Sequence, residues 1–217
     1  MSRSPLQSLA LQAALWLPLA FVLWFALAPL MVLPALALAR PFLLGPWGAL
    51  FSSASLGGDV LDAGGRVLGH AGYLVQLGTS VQVQVPAGPG GPGGIGVLEP
   101  VVNPMVYGYA LPLFAGLAFA TPLSTRRRLL QIVLAFAVIW LCQAFGIVAE
   151  SLKTLAFDSG PEGAGAIARN GPPPAAIALA YQFGYLILPA VAPVALWIGL
   201  NRDFIDTLLR ERAEPRG

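Results

Sequence analysis

Charged side chains are absent from four long, apolar stretches of this chain. No Asp, Glu, Lys or Arg occurs in residues 4–39, 100–125, 129–149 or 170–200. A helix rises about 1.5 Å per residue and needs roughly 20 apolar residues to cross the hydrocarbon layer of a bilayer, so each stretch is long enough. The pattern predicts an all-α integral membrane protein with four transmembrane helices. The spans are expected at about 12–38, 104–122, 129–150 and 175–200.

The first apolar run is too long for one straight crossing. As a single helix, residues 9–39 would measure about 46 Å, against roughly 30 Å of hydrocarbon. Pro18, Pro29 and Pro34 each remove a backbone donor inside this run, which kinks or breaks a helix. We therefore expect a bent helix whose last turns lie near the membrane surface.

Residues 41–103 have the character of a soluble segment. The stretches 73–77 and 80–85 have strand composition, and the second alternates Val with Gln at period two. The stretch 86–94 contains only Gly, Pro and Ala, which is typical of a turn, and 97–102 can return as an edge strand. We expect a small antiparallel β element between helices 1 and 2 that rests on the helix ends, with Asp59 and Asp62 in a glycine-rich, solvated loop.

Local signals mark the other helices. Asn103 before Pro104 is a capping pair that starts the second span. Gly184 follows two alanines at four-residue spacing in the fourth span, which lets another helix backbone come close. The glycine-rich stretch 158–171 is expected to end the third span, and the cytoplasmic tail 201–217 to contain an amphipathic helix. Residues 1–217 are thus expected to form a single polytopic membrane domain.

Composition and charge set the orientation. Hydrophobic residues make up 57% of the chain and charged residues 10%, and the mean hydropathy is +0.75, which excludes a water-soluble globule. Eight basic residues lie before span 1, between spans 2 and 3 and after span 4, whereas four lie in the other two connections. The positive-inside rule then places both termini in the cytoplasm, with Arg126, Arg127 and Arg128 as topology determinants. A formal charge of only +2 gives no support for nucleic-acid binding.

Residues able to do chemistry are few. Cys142 is the only cysteine and His70 the only histidine, and they are expected at different depths in the membrane, which disfavours a catalytic Cys–His pair. A cysteine-dependent peptidase or transpeptidase that uses Cys142 is therefore only an alternative hypothesis. A small transport component is a second alternative, although ion and proton paths usually need ionisable groups inside the spans. The sequence predicts no catalytic residue, no metal site and no cofactor, since no metal-ligand or nucleotide motif occurs.

Two aromatic and glycine clusters stand out. One is 107–109 at the start of the second span, and the other is 181–185 in the fourth span. By the predicted topology both lie in the outer half of the membrane, where they form either an interfacial aromatic belt or a shared groove for a partner. Gln143 and Gln182 are expected to make interhelical hydrogen bonds. The candidate docking residues are Asn103, Tyr107, Gly108, Tyr109, Tyr181, Gln182, Gly184 and Tyr185.

These apolar strings resemble a known family. Residues 103–113, Asn-Pro-Met-Val-Tyr-Gly-Tyr-Ala-Leu-Pro-Leu, and residues 181–193, from Tyr-Gln-Phe-Gly-Tyr to Ala-Pro, are similar to the exosortase H-associated membrane proteins of bacteria. The likeness also covers the early Trp16 to Leu30 region. It implies a multi-pass protein of the bacterial inner membrane that is associated with an exosortase, the transpeptidase-like enzyme that processes proteins with a C-terminal sorting signal.

The resemblance implies an accessory protein, so it carries over no catalytic residue. Together with the absence of charged residues from the four spans, it predicts a non-enzymatic protein that assists C-terminal protein sorting by docking or scaffolding. The expected partners are the lipid bilayer and an exosortase or its sorted substrate.

Overall fold

Helices make up most of the structure, a computed structural model that describes residues 4–62, 66–85 and 93–213. The helices are α1 (Pro5–Ala26), α2 (Ala28–Leu44), α3 (Met105–Gly108), α4 (Ala110–Ala120), α5 (Thr125–Lys153), α6 (Gly160–Asn170), α7 (Pro174–Gln182), α8 (Leu188–Leu200) and α9 (Arg202–Ala213). The π-helical turns Thr154–Asp158 and Phe183–Ile187 follow α5 and α7. The strands are β1 (Phe51–Leu61), β2 (Val67–Thr79), β3 (Gln82–Val85), β4 (Gly94–Val97) and β5 (Val101–Val102).

The first apolar run is broken at Leu27, which separates α1 from α2. Leu27 has a non-helical backbone (φ −102°, ψ 19°), two residues before Pro29. Pro29 lacks an amide donor and its ring crowds the carbonyl four residues earlier, which favours a break near this position. Pro18 and Pro34 lie inside continuous helices. The run expected as one bent span at about 12–38 is therefore two helices, and Pro29 lies in the first turn of the second.

Within the described residues, three helical segments are long and apolar enough to cross a membrane. They are Pro5–Ala26, Thr125–Asp158 and Pro174–Leu200. The helices Ala28–Leu44 and Met105–Ala120 are apolar but shorter. The second expected span, 104–122, corresponds to α3 and α4, where 16 residues would extend only about 24 Å as one helix. The structure thus supports a mainly helical membrane protein with three such helices.

A small β element lies between α2 and α3. β1 pairs antiparallel with β2, β2 with β5, and β3 with β4. Leu56 and Gly57 both face Val75, and Gly57 takes the positive φ (94°) that such a bulge requires. Most of the turn expected at 86–94 lies outside the described residues. The expected antiparallel element is confirmed. β1 is an additional strand, and its second half covers a glycine-rich segment that was predicted to be a loop.

The sheet is fixed to the helices by an apolar core. Val32, Leu36 and Leu43 of α2 are fully buried together with Val75 and Leu77 of β2. The same core includes residues of α5, α6 and α7. Burial of this face stabilises the sheet, which is too small to be stable alone. The element therefore rests on the helices, as expected.

The two ends of the molecule differ in character. The start of α1, the connection 121–124 and α9 come together at one end, which we call the basic end because Arg126, Arg127 and Arg128 begin α5 there. The β element and α6 lie at the other end, which we call the sheet end. The third helical segment ends at Asp158, where the glycine-rich stretch 158–171 begins, as expected. Most of that stretch then forms the additional helix α6, whose Ala166 and Ile167 pack into the core.

Candidate docking site

Tyr107 of α3 is the buried anchor of the aromatic residues at the sheet end. It is 1% exposed, and its ring lies against Gly146 of α5. A Cβ atom at position 146 would come within 2.5 Å of two ring carbons. Only glycine at this position admits the ring, so α5 determines where the aromatic cluster forms.

Three tyrosines from two distant parts of the sequence are in contact. Tyr107 meets Tyr185 edge to face, with ring centroids 6.3 Å apart, and Tyr185 stacks on Tyr181 at 5.6 Å with nearly parallel planes. We call these three residues the tyrosine cluster. Tyr185 is 41% exposed. The cluster therefore connects a fully buried ring to the surface.

A π-helical turn presents the exposed part of this site. Phe183–Ile187 forms this turn, and Phe183, Tyr185 and Leu186 are all exposed. Gly184 lies on the inner side, where an added Cβ would be 3.4 Å from the Gly146 Cα atom. The close helix approach predicted from Gly184 thus occurs between the α7–α8 segment and α5. π-Helical turns within helices occur frequently at functional sites.

The other predicted docking residues have different surroundings. The Asn103 side chain accepts a hydrogen bond from the Met105 amide (3.1 Å) and so caps α3. Gly108 faces the Gln143 side chain. Tyr109 is half-buried and forms no ring pair within the described residues, whereas Gln182 is exposed.

Buried polar contacts hold the helices in place. Gln143 is fully buried, and its Nε2 atom donates to the Pro104 carbonyl (3.0 Å) at the start of α3. The Trp140 indole donates to the Met31 carbonyl of α2 (3.0 Å). In the described residues Gln182 makes no such bond. α5 is thus the helix on which the others are positioned.

Charged residues next to the tyrosine cluster were not singled out from the sequence. The Lys153 ammonium bonds to Asp158 (2.6 Å) and lies 5.3 Å from the centre of the Tyr181 ring. The Glu150 carboxylate lies close to the Tyr107 hydroxyl, although neither the hydroxyl nor Oε2 of Glu150 has a hydrogen bond of good geometry among the described residues. Glu150 and Lys153 lie one turn apart on α5, and this spacing is the sequence pattern that could have placed both side chains on one face of the helix. They supply donors and acceptors beside the aromatic rings.

Cys142 and His70 lie in separate parts of the structure. Cys142 is a partly exposed residue of α5, whereas His70 in β2 contacts the Asp59 carboxylate (Nδ1 to Oδ1, 3.1 Å). Asp59 belongs to β1, so the prediction that its glycine-rich segment is a loop was wrong. The described residues contain no group of three His, Cys, Asp or Glu side chains arranged to hold a metal.

Comparison with known proteins decides the family. A model of the family described as exosortase H-associated membrane protein matches residues 3–204. The chain belongs to this family. No curated protein and no solved structure matches it significantly.

In this exosortase H-associated membrane protein, the three consecutive arginines have different contacts. Arg128 donates to the carbonyls of Ala118, Thr121 and Leu123 at 3.2–3.3 Å and so closes the end of α4. Arg127 donates to the Leu200 carbonyl (3.4 Å), while Arg126 is exposed and has no partner in the described part of the chain. The sequence identified these residues as topology determinants and did not reveal the structural role of Arg128.

Proposed function

We propose that the chain is a non-enzymatic accessory protein of the bacterial inner membrane that docks an exosortase at its sheet end. Membership of an exosortase-associated family supports the association. The larger number of basic residues at the other end supports placing the sheet end outside the cytoplasm. The docking function itself rests on one observation, the partly exposed tyrosine cluster.

The tyrosine cluster has the properties of a binding hot spot. Interface hot spots are enriched in Tyr because the ring offers a large, rigid contact area and a hydroxyl. Tyr107 is fixed against Gly146, and Tyr185 extends from it to the surface beside exposed Phe183 and Leu186. A transmembrane helix of the enzyme can pack on this face and meet Tyr185 first.

The docking proposal predicts that Tyr185→Ala weakens binding of the exosortase about thirtyfold, since loss of a hot-spot side chain costs about 2 kcal/mol or more. The measurement is co-purification of tagged protein from native lipid particles, with the enzyme quantified by immunoblot. Phe25→Ala is the matched control, because Phe25 is 65% exposed on α1, away from the cluster. Equal recovery with Tyr185→Ala and wild type, or an equal loss with both variants, contradicts docking through the cluster.

A non-enzymatic role predicts that Cys142→Ser leaves sorting unchanged. The Cys142 side chain is partly exposed on α5, and His70 is engaged by Asp59 in the sheet. The readout is C-terminal processing of a sorted substrate in cells that lack the native gene. Complementation by wild type and its absence with an empty vector define the range of the assay. If Cys142→Ser abolishes processing while the protein is present at normal levels, the cysteine-dependent enzyme is the better hypothesis.

A further inference from the structure

A cavity of about 600 Å³ with a mixed polar and apolar lining opens at the basic end, between α1, the α4–α5 connection and α9. We call it the polar cavity, because its neighbour is almost entirely apolar. Ser8, Gln12 and Arg128 are among the residues that line it, and Arg128 carries a positive charge. No acidic residue is among the described residues that line it. Charge and polarity suit an anionic group.

An apolar cavity of about 250 Å³ lies directly beside the polar one, between α1, α4 and α5. Trp16 and Phe119 line both cavities, and their rings stack with centroids 4.8 Å apart. Beyond these rings the lining is almost entirely apolar and includes Leu19, Leu23 and Ala115. The two cavities together form one amphipathic site, polar toward the basic end and apolar toward the middle of the membrane-spanning helices.

Arg128 supplies the cationic group at this junction. Its Nε and Nη2 atoms donate to backbone carbonyls, and its guanidinium lies 5.3 Å from the centre of the Phe119 ring. Among the described residues, the Nη1 atom has no hydrogen-bond partner. The side chain is therefore held in position by its own chain while one terminal nitrogen can still donate to a phosphate oxygen.

We propose that this amphipathic site binds one anionic phospholipid, with the phosphate at Arg128 and Gln12 and an acyl chain in the apolar cavity. Neither cavity alone explains the choice of ligand. A free phosphate would leave the apolar part empty, and a neutral lipid would not use the uncompensated charge of Arg128. The polar cavity also falls within the range of about 300–1,000 Å³ that is usual for small-molecule sites.

The test is lipid retention by the purified full chain, measured by native mass spectrometry in detergent with added lipid. We expect one phosphatidylglycerol per chain and at least about tenfold lower retention of diacylglycerol with matched acyl chains, which lacks the phosphate. Glycerol phosphate, which has the headgroup chemistry without the tails, is expected not to displace the bound lipid at equal concentration. Equal retention of both lipids, or displacement by glycerol phosphate, overturns the proposal.

A matched pair of variants locates the site. Ser8→Glu adds a negative charge at the cavity, and the Ser8 side chain makes no hydrogen bond that the substitution would remove among the described residues. Gln7→Glu adds the same charge one residue away, outside the cavity lining, and Glu can keep the capping contact with Ser4. We expect Ser8→Glu to reduce phosphatidylglycerol retention about tenfold and Gln7→Glu to leave it unchanged. Equal retention by the two variants places the lipid elsewhere and overturns the assignment.

Discussion

Gly146→Ala is expected to destabilise the protein by about 1–3 kcal/mol, the usual cost of overpacking a core. The added Cβ would lie 2.5 Å from two carbons of the Tyr107 ring, which is 1% exposed and also contacts Tyr185. Because the ring is buried, it can move only by displacing its neighbours. The loss should exceed the gain of about 1 kcal/mol that alanine normally brings to a helix interior. Thermal unfolding in detergent measures it.

Gly199→Ala is the matched control for this change. Gly199 also lies inside a helix, α8, but an added Cβ would meet nothing within 4 Å. We expect Gly199→Ala to be neutral or stabilising by up to about 1 kcal/mol. If both variants melt at the same temperature, Tyr107 is not held by Gly146 in the way described. Because Tyr107 supports Tyr185, Gly146→Ala should also lower recovery of the exosortase.

Arg128→Leu is expected to lower the free energy of unfolding by about 2–3 kcal/mol, because hydrogen bonds from a charged group contribute about 1.5–3 kcal/mol each and part of this loss is recovered by solvent. The three carbonyls at the end of α4 lose their shared donor. The stacking of the guanidinium on Phe119 is lost as well. Chemical denaturation in detergent measures the change.

Arg126→Leu separates the two roles of the arginines. It removes the same charge from the same connection, but Arg126 is exposed and has no partner in the part of the chain that the structure describes. A topology reporter at the C-terminus should therefore respond equally to both substitutions, since the positive-inside rule counts charges. Only Arg128→Leu should lower stability. Equal destabilisation by both would show that the α4 carbonyls do not depend on Arg128.

The sequence was most informative about helices in the membrane. Absence of charge over 129–149 predicted most of α5, and Asn103 predicted the start of α3 through a local hydrogen bond. Such signals are local, because a helix forms its backbone hydrogen bonds within itself and a capping side chain bonds to an amide only a few residues away. The topology placed the two aromatic clusters at the same depth, which left open both an interfacial belt and a shared groove.

What the sequence did not reveal depends on contacts between distant residues. β1 was not predicted because Gly57 and Gly58 are typical of loops, yet β2 pairs along its whole length and accommodates a bulge at Gly57. The position of Glu150 and Lys153 beside the tyrosine cluster was not predicted either, because it depends on where the separate helices α3 and α7 pack against α5. The contact between Gly146 of α5 and Tyr107 of α3 joins two separate helices, and the sequence of neither helix alone predicts it.

The break at Leu27 separates two helices with different requirements during synthesis. α1 has no buried residue and packs mainly along α4. α2 buries Val32, Leu36 and Leu43 against β2 and α5, which are synthesised later. We therefore expect α2 to complete its packing only after α5 has been synthesised, whereas no buried residue of α1 depends on a later element.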